Sequence, residues 1–127
     1  MPDFSEIDLS EARRAIESAL HKSEKALLKL KQGTFSHTLT VRGINAYRIA
    51  LELINESCEL ESNAGETPQT RTKADMADAV QFFESTIAKV EKVLPKFAEG
   101  TPQHTLAIRR IRAFEIADTL IREHMNH

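Results

Sequence analysis

The sequence predicts an all-α fold, an up-down-up-down four-helix bundle built from two tandem, duplicated αα-hairpins. Three observations predict it. Four Gly and four Pro in 127 residues leave little material for a turn-rich β fold. Apolar residues recur at steps of three and four, which lays them along one face of a helix. The chain also matches itself without a gap when shifted by 67 positions, Gly33 onto Gly100.

The self-match covers residues 8–56 against 75–123. GTFSHTLTVRGINAYRIALELINE lies on GTPQHTLAIRRIRAFEIADTLIRE, with identities that include His37/His104, Leu39/Leu106, Arg42/Arg109, Ala46/Ala113, Ile49/Ile116, Ala50/Ala117, Leu53/Leu120, Ile54/Ile121 and Glu56/Glu123. Upstream, Asp8/Asp75, Ala12/Ala79, Glu17/Glu84, Ser18/Ser85, Lys22/Lys89, Glu24/Glu91, Lys25/Lys92, Leu27/Leu94 and Lys29/Lys96 coincide in the same register. Shared helical composition does not supply so many matches in one register, so the pattern reads as a duplication.

Each unit carries its own punctuation. Asp8 with Glu11, and Asp75 with Asp78, read as a helix N-cap followed by an acid in the first turn. The first helix presents Leu9, Ala12, Ile16, Leu20, Ser23, Leu27 and Leu30; the third presents Met76, Ala79, Phe83, Ile87, Val90, Leu94 and Phe97. Gly33 and Gly100 stand where a helix closes in the left-handed conformation. Thr34 and Thr101 follow as N-caps, and Pro102 takes the first helical position, which tolerates proline. A connection of about two residues is expected in each hairpin. Pro95 falls inside the third helix and predicts a kink. The second and fourth helices carry the seams Leu39, Arg42, Ala46, Ile49, Leu53, Glu56 and Leu106, Arg109, Ala113, Ile116, Leu120, Glu123. Each helix is expected to run for roughly 25 residues, about 37 Å. The polar stretch 62–73 reads as the linker between hairpins, and 1–127 as a single domain.

Composition narrows the function. A net charge of −2 and a pI near 6.2 disfavour a nucleic-acid partner, since a phosphate backbone wants a basic footprint. The single Cys58 forms no internal disulfide and reads as a small buried residue. No segment has the length and apolarity of a membrane span, and the acidic MPDFSEIDLSE start is no signal peptide, so a cytoplasmic protein is expected. No metal-ligand or cofactor spacing is present, and no cofactor is expected.

Two sets of residues stand out. Up-down-up-down topology places both Gly-Thr turns at one end, which then gathers His37, His104, Lys29 and Lys96, with Arg42 and Arg109 beyond them. Two helix N-termini point there as well, so this end is a candidate to bind an anion or an acidic partner. Arg42 and Arg109 occupy seam positions where an apolar residue is expected. Paired arginines that fix hairpin register explain them, with Glu24 as the partner of Arg42 and Glu91 of Arg109.

The opposite end is acidic. Glu56-Ser-Cys-Glu59 and Asp75-Met-Ala-Asp78 resemble the paired acidic motifs of the MazG-type all-α nucleoside triphosphate pyrophosphatases. The resemblance implies that Glu56, Glu59, Asp75 and Asp78 hold magnesium for pyrophosphate cleavage; carboxylates at i and i+3 share a helix face, as a hard cation requires. Asp75 is also explained as a cap, and in the other copy Asn126 stands for Glu59. The capping reading is adopted. His37-Thr-Leu39 and His104-Thr-Leu106 resemble the H-x-L start of histidine phosphotransfer domains, but Thr40-Val41 and Ala107-Ile108 stand where that family has Lys-Gly. The function expected is a non-enzymatic helical module acting through protein contacts, an adaptor or immunity-type protein or a homodimer. The alternative is the magnesium-dependent pyrophosphatase.

Overall fold

The computed structural model describes residues 4–58 and 72–125, apart from the side chains of Ser57 and Cys58. Four helices run α1 Glu6–Leu27, α2 Phe35–Cys58, α3 Lys73–Val93 and α4 Pro102–Met125, with a short 3-10 turn at Leu94–Lys96. They form a four-helix bundle, with no strand among the described residues. Neighbours in sequence pack as hairpins, α1 on α2 and α3 on α4. The bundle closes through α1 against α4 and α2 against α3, and α2 meets α4 across the diagonal.

Local chemistry sets the helix starts, and it corrects the expected caps. Ser5, not Asp8, caps α1, and Thr72, not Asp75, caps α3. Each hydroxyl accepts the amide N–H three residues on, at 3.0 Å from Asp8 and 3.0 Å from Asp75. Each aspartate returns the favour by accepting the N–H of the capping residue. This reciprocal box satisfies two otherwise orphaned donors, and each cap contributes about 1 kcal/mol. Both helices therefore start earlier than expected, and Lys73, expected in the linker, is the first residue of α3.

The helix ends also differ from expectation. Helix α3 stops at Val93 and tightens into the 3-10 turn at Pro95, rather than kinking and continuing. Proline alone is not the cause, because α1 stops at Leu27 with Leu28 at the equivalent place. The connections are consequently longer than two residues, although Gly33 and Gly100 adopt φ of 87° and 85°, the left-handed geometry that favours glycine. Thr34 and Thr101 cap as expected, accepting the N–H of His37 and His104.

The core fills the space between the four helices. Ile16, Ile54, Phe83, Ile116 and Ile121 are almost wholly buried, each contributing roughly 1.5–3 kcal/mol of apolar burial. At the 67-residue shift Ile16 corresponds to Phe83 and Ile54 to Ile121, so corresponding positions do corresponding work. Four rings gather at the centre. Tyr47 and Phe114, which correspond, stack at 6.1 Å where α2 meets α4. Phe83 touches both, and Phe82 sets its edge against Tyr47 at 5.4 Å. Burial raises the Tyr47 hydroxyl pKa, with Arg110 pulling weakly the other way.

Candidate functional site

The expected basic end divides. His37 and His104 sit half-buried in the first turns of α2 and α4, while Lys29 and Lys96 are exposed in the turns that precede them. The two arginines are not with them. Arg42 lies on the flank between α2 and α3, and Arg109 on the flank between α1 and α4.

The expected partner of Arg42 is corrected as well. Its guanidinium makes two hydrogen bonds to Asp78, from Nη2 at 3.0 Å and from Nε at 3.3 Å. Glu24 instead receives Arg48 at 3.0 Å. Arg42 thus ties one hairpin to the other, rather than fixing the register within one. The long side chain reaches across to α3 because α2 and α3 pack antiparallel with Gly43 beside Phe82. Arg109 forms no ion pair with Glu91, and among the described residues it makes no ion pair at all.

The acidic end resolves in part. Asp75 is the return arm of the Thr72 capping box, and Asp78 is held by Arg42. Glu56 takes part in an interaction of its own. Glu59, Asn126, residues 62–71 of the linker and the side chain of Cys58 lie outside the described residues. Among the described residues no group of three or more His, Cys, Asp or Glu could hold a metal ion, and no helix is long and apolar enough to cross a membrane.

A concave surface lies mostly outside the residues singled out from sequence. A cavity of about 390 Å³ opens between α1 and α4. Its floor is Ala12, Ala15, Ala113 and Ile116, and Leu106 and Ile108 stand at its wall. Both are large apolar side chains left 47% and 46% exposed, although Leu106 was expected to sit in the packed seam. Arg14, Arg109, Arg112, Asp8 and Glu11 supply the polar rim. Arg112 reaches the Asp8 carboxylate at 3.0 Å, and this contact, followed by the Ser5 hydroxyl, holds the Asp8 pKa below its ordinary 3.8.

The α2/α3 flank carries a smaller cavity of its own, about 280 Å³. Between α2 and α3 the corresponding wall carries Leu39, Arg42 and Ser85, the 67-residue counterparts of Leu106, Arg109 and Ser18. There Phe82 lays its ring against Gly43, so closely that a Cβ on Gly43 would fall 2.8 Å from the ring. The counterpart of Phe82 is Ala15, and that of Gly43 is Arg110. A small side chain thus stands on one flank where a ring stands on the other, and an arginine stands where that ring has a glycine beside it.

The comparisons with known proteins give no family: no family model, no curated protein and no solved structure matches the chain.

Proposed function

We propose that the chain is a non-enzymatic helical module that works by binding another protein through its α1/α4 face. One observation carries this reading. Leu106 and Ile108 are large apolar side chains left exposed at the wall of a groove whose floor is apolar. A partly apolar concave surface rimmed by charged side chains fits a recognition surface. Leu28 and Phe35 are also exposed, at the turn end. The Arg42 pairing of Asp78 and the Thr72 pairing of Asp75 favour this reading over magnesium-dependent pyrophosphate cleavage.

Site-specific photo-crosslinking in the native cell tests the proposal. A photoreactive residue at Leu106 is expected to give one discrete adduct. The same group at Glu115, nine residues on and so on the opposite side of α4, is expected to give none. Equal labelling from both positions would refute the assignment of the face. Magnesium-dependent conversion of a nucleoside triphosphate to its monophosphate by the purified chain, abolished in Asp78→Asn, would refute the non-enzymatic reading.

A further inference from the structure

Among the described residues, the two most exposed large apolar side chains both lie in the turn that joins α1 to α2. Leu28, the C-cap of α1, is 87% exposed, and Phe35, the first residue of α2, is 80% exposed. The turn does not need either of them to close. The turn between α3 and α4 uses the same left-handed glycine and the same threonine cap, and it has Pro95 and Pro102 at the corresponding places. Holding a leucine and a phenylalanine in water forgoes the burial that such side chains gain elsewhere in the bundle, and neighbouring exposed apolar groups mark a contact surface.

The charge around them is one-sided. Lys25, Lys29 and Lys31 flank the pair; all three are exposed, and among the described residues none makes an ion pair. No Asp or Glu occurs from Lys25 to Leu51, in a chain that holds 19. Glu24, just before, is occupied by Arg48. The neighbouring turn contributes Lys92 and Lys96 against Glu91 and Glu99, and so leaves the balance unchanged. Acids such as Asp8, Glu11, Asp75 and Glu123 lie at the opposite end of the bundle. The 22 residues of α1 span about 33 Å, several Debye lengths at physiological salt, so those acids are screened from whatever the turn touches.

We propose that the α1/α2 turn is a docking tip for an anionic lipid bilayer. Leu28 and Phe35 enter the boundary between headgroups and acyl chains, and Lys25, Lys29 and Lys31 meet the headgroup phosphates. Charge complementarity and shape select this occupant. The core of a protein interface is depleted in lysine and close-packed, whereas two side chains that project from a turn suit a soft surface that parts around them. Lysine stems lie along the apolar layer while their ammonium groups stay among anionic headgroups. Phe and Leu beside Lys is also the composition that seats a segment in a membrane interface. The contact needs no membrane-spanning helix, and it is separate from the α1/α4 groove.

The chain has no tryptophan, so Phe35→Trp places a single fluorescent reporter at the tip. The full-length variant is mixed with vesicles of phosphatidylcholine alone, and with vesicles of an equal mixture of phosphatidylcholine and phosphatidylglycerol. Its emission is expected to move to shorter wavelength with the anionic vesicles and to stay in place with the neutral ones. Glu115→Trp, on the exposed side of α4, is expected to shift with neither. In co-sedimentation with the anionic vesicles, Phe35→Ser and Leu28→Ser should each weaken binding about three- to tenfold. Lys29→Glu should weaken it about fivefold or more. All three side chains are exposed, so circular dichroism should be unchanged. Ile7→Ser removes an apolar side chain 70% exposed at the other end, and binding should not respond.

An unshifted Phe35→Trp emission with anionic vesicles would overturn the proposal. Equal binding to neutral vesicles would do the same, since the lysines would then have no part in it. A loss in Ile7→Ser as large as that in Phe35→Ser would overturn the choice of surface. Binding of soluble polyglutamate as tight as that of the anionic vesicles would overturn it in favour of an acidic protein partner.

Discussion

Gly43 is a buried glycine in the middle of α2, and replacing it by alanine sets two effects of opposite sign against each other. Helix propensity favours alanine by about 0.8–1 kcal/mol. The new Cβ would fall 2.8 Å from Phe82 Cζ and 3.1 Å from Cε1. Carbon contacts are comfortable at about 3.5 Å or more, so the ring must retreat by roughly 0.7 Å. It cannot do so freely, since Phe82 is held edge-on by Tyr47 at 5.4 Å and by Phe83 at 5.6 Å. Overpacking of that kind costs about 1–3 kcal/mol. The steric effect wins, and Gly43→Ala should destabilise the protein by about 1 kcal/mol, a fall in Tm of roughly 3–5 °C for a domain of this size. With Phe82→Ala already in place the obstruction is gone. The same substitution should then stabilise by about 0.5–1 kcal/mol. Urea unfolding of all four members of the cycle measures both signs. A stabilising Gly43→Ala in the wild-type background would refute the reasoning, as would an equal effect in the two backgrounds, because either would show that the ring is not the obstacle.

Other outcomes follow from the ion pairs and caps. Arg42→Met and Asp78→Asn should couple in a double-mutant cycle by less than about 1 kcal/mol, because both side chains are well exposed, whereas Arg42→Met and Glu24→Gln should be additive. Thr72→Ala removes the hydroxyl that begins α3 and should cost about 1 kcal/mol in urea unfolding. The Asp8 carboxyl titrates below its ordinary 3.8 in the folded chain. A lowered folded pKa contributes stability at pH above the unfolded value, and that contribution is lost as pH falls through the folded one. NMR titration should therefore show the Asp8 pKa rising in Arg112→Met; an unchanged value would mean that Arg112 is not its main cause.

The fold was legible because its signals are redundant. Helix periodicity, the two glycines and the capping threonines all say the same thing, and a bundle follows from the need to bury four apolar stripes. Side-chain partners were not legible. Arg42 lies within reach of Glu24 in a hairpin drawn alone, and only the packing of one hairpin on the other brings Asp78 to it. Ser5 is hard to single out from sequence because Asp8 is also a capping residue type and repeats at Asp75, whereas the cap itself is Ser in one unit and Thr in the other. The self-match does not expose the groove through its identities, which treat the two flanks alike. Its most informative columns are the differences, Ala15 against Phe82 and Gly43 against Arg110.

The order of contacts along the chain bears on the timing of assembly. Each hairpin joins segments close in sequence, so its closure is entropically cheap and should come early. The α1/α4 contact joins the two ends of the described chain, so its closure has the largest loop entropy to overcome and should come last. A surface that exists only once α1 has met α4 is absent from anything less than the finished fold. Whatever binds there should slow unfolding and leave the refolding rate alone, which makes occupancy of the groove a brake on the loss of structure rather than an aid to its formation.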